Sequence, residues 1–189
     1  VLVDIGGGTT DITIYSEGSI VHTAVLALGG NHLTHDIAIG LGTPLQEAEE
    51  IKHSDGIALS EMTDENEMIA VPSVGGRNNR QMKKMVLAGI IEDRFREIFE
   101  LIGREIEKTH YHKLMASGVV ITGGSCIMPG VDQLAHQVLN MPVRVGFPEH
   151  ISGLKELIYS PKYATSVGLV RYGITSNQGK LNFVGDETN

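Results

Sequence analysis

A glycine turn flanked by carboxylates stands at the head of the chain: Val3-Asp4-Ile5-Gly6-Gly7-Gly8-Thr9-Thr10-Asp11. Three successive glycines let the backbone take positive φ and come close to a ligand. Their N–H groups can line a concavity that suits phosphate oxygens. Thr9 and Thr10 add hydroxyl donors. Asp4 ends an apolar strand, where a carboxylate can reach a hydrated Mg2+, and Asp11 brings a second carboxylate. One such turn serves a structural hairpin as readily as a phosphate site. A second turn shifts the reading. Val119-Val120-Ile121-Thr122 runs into Gly123-Gly124-Ser125, with Pro129-Gly130 beyond, roughly 115 residues after the first turn. An apolar strand again precedes the glycines and a helical pattern follows. Two strands of one sheet can aim both turns at a single ligand, and a nucleoside phosphate accounts for both.

Glu49 and Lys52 stand one helical turn apart beside an apolar face. As a surface pair they are worth about 0.2–0.5 kcal/mol. As a clamp, the Lys52 stem covers a purine and Glu49 accepts from a ribose hydroxyl. His32 and His35, and His110 and His112, are closely spaced, but zinc needs further ligands and only Cys126 offers sulfur. Cys126 lacks an evident His and Asp for nucleophilic work. Arg94 and Glu97 lie on the charged side of a long helical pattern, which by itself reads as solvated surface.

The elements that must hold these residues follow from pattern. Residues 1–5, 10–15 and 20–27 read as a three-strand meander. Leu33, Ile37 and Leu41 recur at helical spacing, with Asn31 as N-cap and Gly42 as the stop. Thr43-Pro44-Leu45-Gln46 predicts a helix start with Thr43 as N-cap and Pro44 in the first helical position, running to His53. Residues 54–66 read as loop. Met68–Val74, with Pro72, reads as an edge strand, and 75–80 as a turn. A helix is predicted from Gln81 to about Lys113, with a break near Gly89; Ile91, Phe95, Ile98, Ile102 and Ile106 form its apolar side. A strand at Val119–Ile121, a helix near Val131–Leu139, a strand at Val143–Val145 and a helix from Ser160-Pro161 to about Gly173 complete the order. This predicts an α/β core built from 1–42 and 117–175, an inserted α+β subdomain at 43–116, and a linker or disordered tail at 176–189.

Composition bounds the function. The 189 residues carry a formal net charge of −8 with 41% hydrophobic content. That charge argues against a general nucleic-acid surface. No apolar run nears the roughly 20 residues of a membrane span. The single cysteine permits no internal disulfide and fits a reducing compartment.

Val3-Asp4-Ile5-Gly6-Gly7-Gly8-Thr9-Thr10-Asp11 resembles the second phosphate motif of the actin/Hsp70/sugar-kinase superfamily, and Ile121-Thr122-Gly123-Gly124 with Pro129-Gly130 its adenosine motif. Ala48-Glu49-Glu50-Ile51-Lys52 is similar to the purine-flanking helix of bacterial actin-like members. Asp36-Ile37-Ala38, Gly42-Thr43-Pro44, Val71-Pro72-Ser73-Val74-Gly75-Gly76-Arg77, Glu92-Asp93-Arg94-Phe95-Arg96-Glu97 and Val167-Gly168-Leu169 point to one family, the bacterial cell-division protein FtsA.

The resemblance implies an actin-like (ribonuclease H-like) lobe that binds ATP with Mg2+. Asp4 would hold the Mg2+ through water. Asp4, Gly6, Gly7, Gly8, Thr9, Thr10, Glu49, Lys52, Gly123, Gly124 and Ser125 would contact the nucleotide. It further implies a cell-division scaffold that polymerises at the inner face of the cytoplasmic membrane and binds the C-terminal peptide of FtsZ, with Arg94 and Glu97 at the matching docking positions. The first phosphate motif and a C-terminal amphipathic membrane helix are not in this sequence, so the chain is expected to be the second lobe of such a protein. At most a weak ATPase is implied for the full-length protein, and little or no hydrolysis for this lobe alone. A pilus or cell-shape scaffold, or a sugar kinase, is the alternative within the superfamily.

Overall fold

The computed structural model describes residues 1–73, 75, 78–109, 118–149 and 155–177. The meander forms as its alternation predicts: β1 (Leu2–Ile5), β2 (Thr10–Ser16) and β3 (Ser19–Leu26). After α1 (Gly30–Leu41) and α2 (Leu45–Asp55) comes a hairpin of β4 (Met68–Val71) and β5 (Arg80–Lys83), then the long α3 (Lys84–Glu107). β6 (Val119–Thr122), α4 (Val131–Leu139), β7 (Val143–Val145), the short α5 (Lys155–Ile158) and α6 (Ala164–Asn177) follow.

The main sheet has the order β3-β2-β1-β6-β7. β1 pairs antiparallel with β2, matching Val3 to Ile12 and Ile5 to Thr10. It pairs parallel with β6, matching Val3 to Ile121. Alternate residues point to one face of a strand. Val3, Ile5, Ile12, Ile14 and Ile121 are therefore buried together. α1 and α4 share their core with this face, and α3 packs across both helices. Phe95 and Phe99 of α3 are fully buried and stack with centroids 5.9 Å apart. The buried residues of the sheet, of α2 and β4, and of α3 and α4 form one contiguous core.

Several local expectations are corrected. Asn31 is not the N-cap of α1; Gly29 is, and its N–H donates to His32 Nδ1 at 3.1 Å. Thr43 is not the N-cap of α2 and Pro44 is not its first helical residue. Pro44 occupies the cap itself, while the Thr43 hydroxyl donates to Pro72 O at 2.7 Å and ties α2 to the hairpin. α2 extends past His53 to Asp55.

The predicted loop 54–66 contains a 3-10 turn at Ser60–Met62 and buries Ala58 and Leu59. Arg80–Lys83 is strand rather than turn and helix, because it completes the ladder with β4. α3 runs unbroken through Gly89. A glycine inside a helix costs about 1 kcal/mol, and the burial of Leu87, Ala88 and Ile91 around it outweighs that. α6 passes the expected stop at Gly173. Val74, Gly76, Arg77, His110, His112 and the rest of the expected tail from 178 lie outside the described residues.

Candidate functional site

β1 and β6 are adjacent and parallel, so their glycine turns leave the sheet at the same edge. The C-terminal edge of parallel strands is where open α/β sheets take their ligands. Backbone hydrogen bonds lock the first turn in place. Gly6 N–H donates to Thr9 O at 2.9 Å, Gly30 N–H to Gly6 O at 2.9 Å, and Asn31 N–H to Gly7 O at 2.8 Å. Ser125 of the second turn donates its hydroxyl to Gly6 O at 3.2 Å. The two turns thus meet across 119 residues of sequence. Space explains two glycines. A Cβ on Gly29 would lie 2.6 Å from Gly6 O. Gly123 has φ of 96° and a Cβ there would run into Asp4 and Ile5 O.

Between the turns and α2 lies a cleft of about 450 Å³. That volume lies within the range of small-molecule sites. Gly6, Gly7, Glu49, Lys52, Gly124 and Ser125 line it, together with Asn31, His53 and Lys162, which the sequence reading did not single out. His53 stands one turn after Glu49, so helical spacing was the available signal. Asn31 follows a double glycine that looked like a plain cap. Lys162 lies 36 residues beyond Cys126 in a single 3-10 turn (Pro161–Tyr163), and no local pattern marks it.

Glu49 and Lys52 are not a simple surface pair. The Lys52 side chain is only 10% exposed. Its Nζ donates to Glu49 Oε2 at 2.7 Å, Thr34 Oγ1 at 2.8 Å and Gly30 O at 3.1 Å. The Thr34 hydroxyl lies between Gly30 O and Glu49 Oε2. This network clamps α2 onto the first turn of α1 beneath the glycines. Burial alone would raise the Glu49 pKa; the hydrogen bonds from Lys52 and Thr34 and the Lys52 charge outweigh it and hold the carboxyl below its usual value.

The other candidates are dispersed. Thr10 is fully buried and gives its hydroxyl to Leu28 O at 2.8 Å. Thr9 is exposed and donates to Asp11 Oδ2 at 3.2 Å. Gly8 meets open space, and Gly123 packs under the sheet edge rather than lining the cleft. Asp4 pairs directly with Asp11 across β1 and β2 and accepts a hydrogen bond from Thr165 of α6. Like charges directly opposite destabilise a strand pair, and hard oxygen donors of this kind suit Mg2+. Among the described residues no three His, Cys, Asp or Glu side chains converge on a metal position. Cys126 is buried and donates to Thr122 O at 2.9 Å; burial pushes its thiol pKa well up, which rules out an activated thiolate.

Arg94 and Glu97 lie on α3, away from the cleft lining. The Arg94 guanidinium grips Asp36 of α1 through Nε at 2.5 Å and Nη2 at 3.0 Å, while Nη1 meets Glu97. The Asp36 hydrogen bonds raise the Arg94 pKa against the opposing effect of burial. Arg94 keeps 23% side-chain exposure and Glu97 52%.

With this geometry in hand, comparison with known proteins is informative. A family model, cell division protein FtsA, matches residues 1–168. The FtsA protein of Pseudomonas aeruginosa is 46% identical over 173 residues, covering 92% of this chain and 42% of that protein. That of Escherichia coli K12 is 41% identical over 183 residues, covering 93% of this chain and 44% of that protein. The chain thus spans less than half the length of these relatives. Among solved structures, MreB5 of Spiroplasma citri bound to ADP superposes with a TM-score of 0.72 at 19% identity, covering 96% of this chain and 55% of that one. The PilM–PilN type IV pilus biogenesis complex gives 0.66 at 18%, covering 92% and 45%. The fold is actin-like.

Proposed function

The chain belongs to the family of the cell-division protein FtsA, and on that premise we propose that it is the second lobe of an ATP-binding division scaffold. The observation that carries this reading is the pair of glycine turns on adjacent parallel strands, opening on one cleft with Glu49 and Lys52. MreB5 structures of the same fold are bound to ADP and to AMPPNP. In this lobe the Gly6–Gly8 turn faces the phosphates and the Gly124-Ser125 turn faces the adenosine. The Lys52 stem covers the purine and Glu49 accepts from the ribose. Mg2+, which neutralises phosphate charge, would be held through water by Asp4, where the cross-strand Asp11 makes a cation favourable. The nucleotide serves as an assembly ligand for filaments.

The outer face of α3 is the proposed dock for the C-terminal peptide of FtsZ. Arg94 stays anchored by Asp36 and exchanges its Glu97 contact for the peptide. Filaments at the inner face of the cell membrane at the division site complete the proposal. No helix among the described residues is long and apolar enough to cross a membrane.

Two titrations test the reading. Calorimetry of Mg·ATP binding to the intact protein should give saturable binding that Lys52→Met weakens about 10- to 100-fold, through loss of the charge-assisted hydrogen bonds that hold Glu49 and Gly30 in place. Anisotropy of a labelled FtsZ C-terminal peptide should saturate near micromolar Kd, about −8 kcal/mol, and be lost with Arg94→Glu. No ATP binding by folded wild type overturns the cleft assignment. No peptide binding overturns the docking face.

A further inference from the structure

His53 lines the cleft but belongs to neither the glycine turns nor the Lys52 clamp. It follows Glu49 by one turn of α2, and its Nε2–H donates to Glu49 Oε1 at 3.0 Å. Its ring lines the cleft while its side chain is 75% exposed. The two oxygens of Glu49 are therefore unequal. Oε2 is spent inward on Lys52 and Thr34. Oε1 meets only His53 among the described residues. A carboxylate oxygen carries two lone pairs, so Oε1 retains one for a hydroxyl donor inside the cleft.

We infer that His53 positions the Glu49 carboxylate for a ribose hydroxyl and makes that contact sensitive to pH. The inference rests on the nucleotide reading above. Neutral imidazole donates one hydrogen bond and leaves the charge on Oε1 uncompensated, so Oε1 remains a strong acceptor. Imidazolium forms an ion pair with Glu49, and the acceptor is weakened. Nucleotide affinity is therefore full while the ring is neutral and falls when the ring is protonated.

The surrounding groups leave His53 in this role. On its own helix Glu49 and Lys52 share the cleft, and Lys162 stands on its wall. Lys162 Nζ lies 4.8 Å from the Tyr163 ring centroid. On α1, which packs on α2, three groups are already engaged. His32 Nδ1 accepts from Gly29 N–H, His35 Nδ1–H donates to Asn31 O at 2.7 Å, and Asp36 is held by Arg94.

The test is calorimetric titration of the intact protein with Mg·ATP and with Mg·2′,3′-dideoxy-ATP from pH 8 to pH 5.5, for wild type and His53→Gln. Glutamine keeps an N–H donor without the titration. Ionisation of the phosphates is common to both proteins and cancels in their ratio. Wild-type Kd for ATP should rise roughly two- to fivefold more than that of the variant on acidification, the scale of an exposed ion pair. The dideoxy nucleotide should show no such difference. His53→Asn, with a shorter amide, should flatten the profile as well. Equal pH profiles for wild type and His53→Gln overturn the inference while leaving the nucleotide site standing. So does a difference that survives in the dideoxy nucleotide. Absence of ATP binding at every pH by folded wild type overturns both.

Discussion

The cleft corner and the outer face of α3 each join elements distant in sequence, and they do so with different chemistry. At the corner, Gly30 and Asn31 N–H donate to Gly6 O and Gly7 O, and a lysine only 10% exposed is saturated with acceptors. On α3, Arg94 joins Asp36 and Glu97 through charges that remain 23%, 27% and 52% exposed. Interactions shielded from water keep most of their strength, while exposed ion pairs contribute about 0–1 kcal/mol and weaken with salt. The corner is built to hold a shape. The α3 face, on the proposed reading, exchanges partners.

Breaking the corner should be the costlier experiment. Gly123→Ala combines a left-handed backbone with a collision against Asp4 and Ile5. Strain and overpacking together predict about 3–5 kcal/mol of destabilisation. Thermal denaturation should show a fall in Tm on the order of 10 °C. Lys52→Met should follow, costing about 1–3 kcal/mol because Glu49 and Gly30 O lose a donor; urea denaturation measures it. Were Lys52→Met neutral for stability, the corner would be no more than a surface pair and the contrast would fail.

Arg94→Ala should change stability by about 1 kcal/mol or less yet abolish peptide docking, and 0.5 M salt should weaken docking in wild type. A large stability loss would move Arg94 into the first class. The smallest effect concerns Glu92, which accepts from Ser60 N–H at 2.8 Å, from the Ser60 hydroxyl and from Arg96 at 2.8 Å. Burial works to raise its pKa, but these hydrogen bonds and the Arg96 charge hold it below its ordinary 4.5. Its stabilising contribution is complete above pH 4.5 and is lost as pH falls through the lower folded value. Acid unfolding curves of Glu92→Gln and wild type should converge at low pH and separate above it.

Period-two and helical patterns made the meander, α3, β6, α4 and β7 legible, because burial imposes those periods on the sequence. The glycine turns were legible as runs of glycine, but within them only Gly123 has the expected positive φ and close approach; Gly6, Gly7 and Gly8 do not take positive φ. What escaped was set by tertiary pairing. β5, Arg-Gln-Met-Lys, carries no apolar alternation and is a strand only because β4 lies beside it. Thr43 has the right side chain for a cap but spends it on Pro72 O. Within the cleft, Glu49 and Lys52 were recognisable by spacing. Lys162 reaches it from a short 3-10 turn that no sequence period marks, and Asn31 has a cap's residue type but follows the actual cap, Gly29.

The hydrogen bond from Ser125 to Gly6 O spans 119 positions, and this gives the molecule an order of assembly. Chain emerges from the ribosome at about 5–20 residues per second, so the first glycine turn waits on the order of ten seconds for its counterpart. β1, β2 and β3 can zip locally in that interval, but β6 must be threaded beside β1 before both walls of the cleft exist. Non-local pairings of this kind are the slow steps of folding. The cleft in which a nucleotide is proposed to bind is thus completed late in the life of the chain, after residues as far along as Lys162 have joined it.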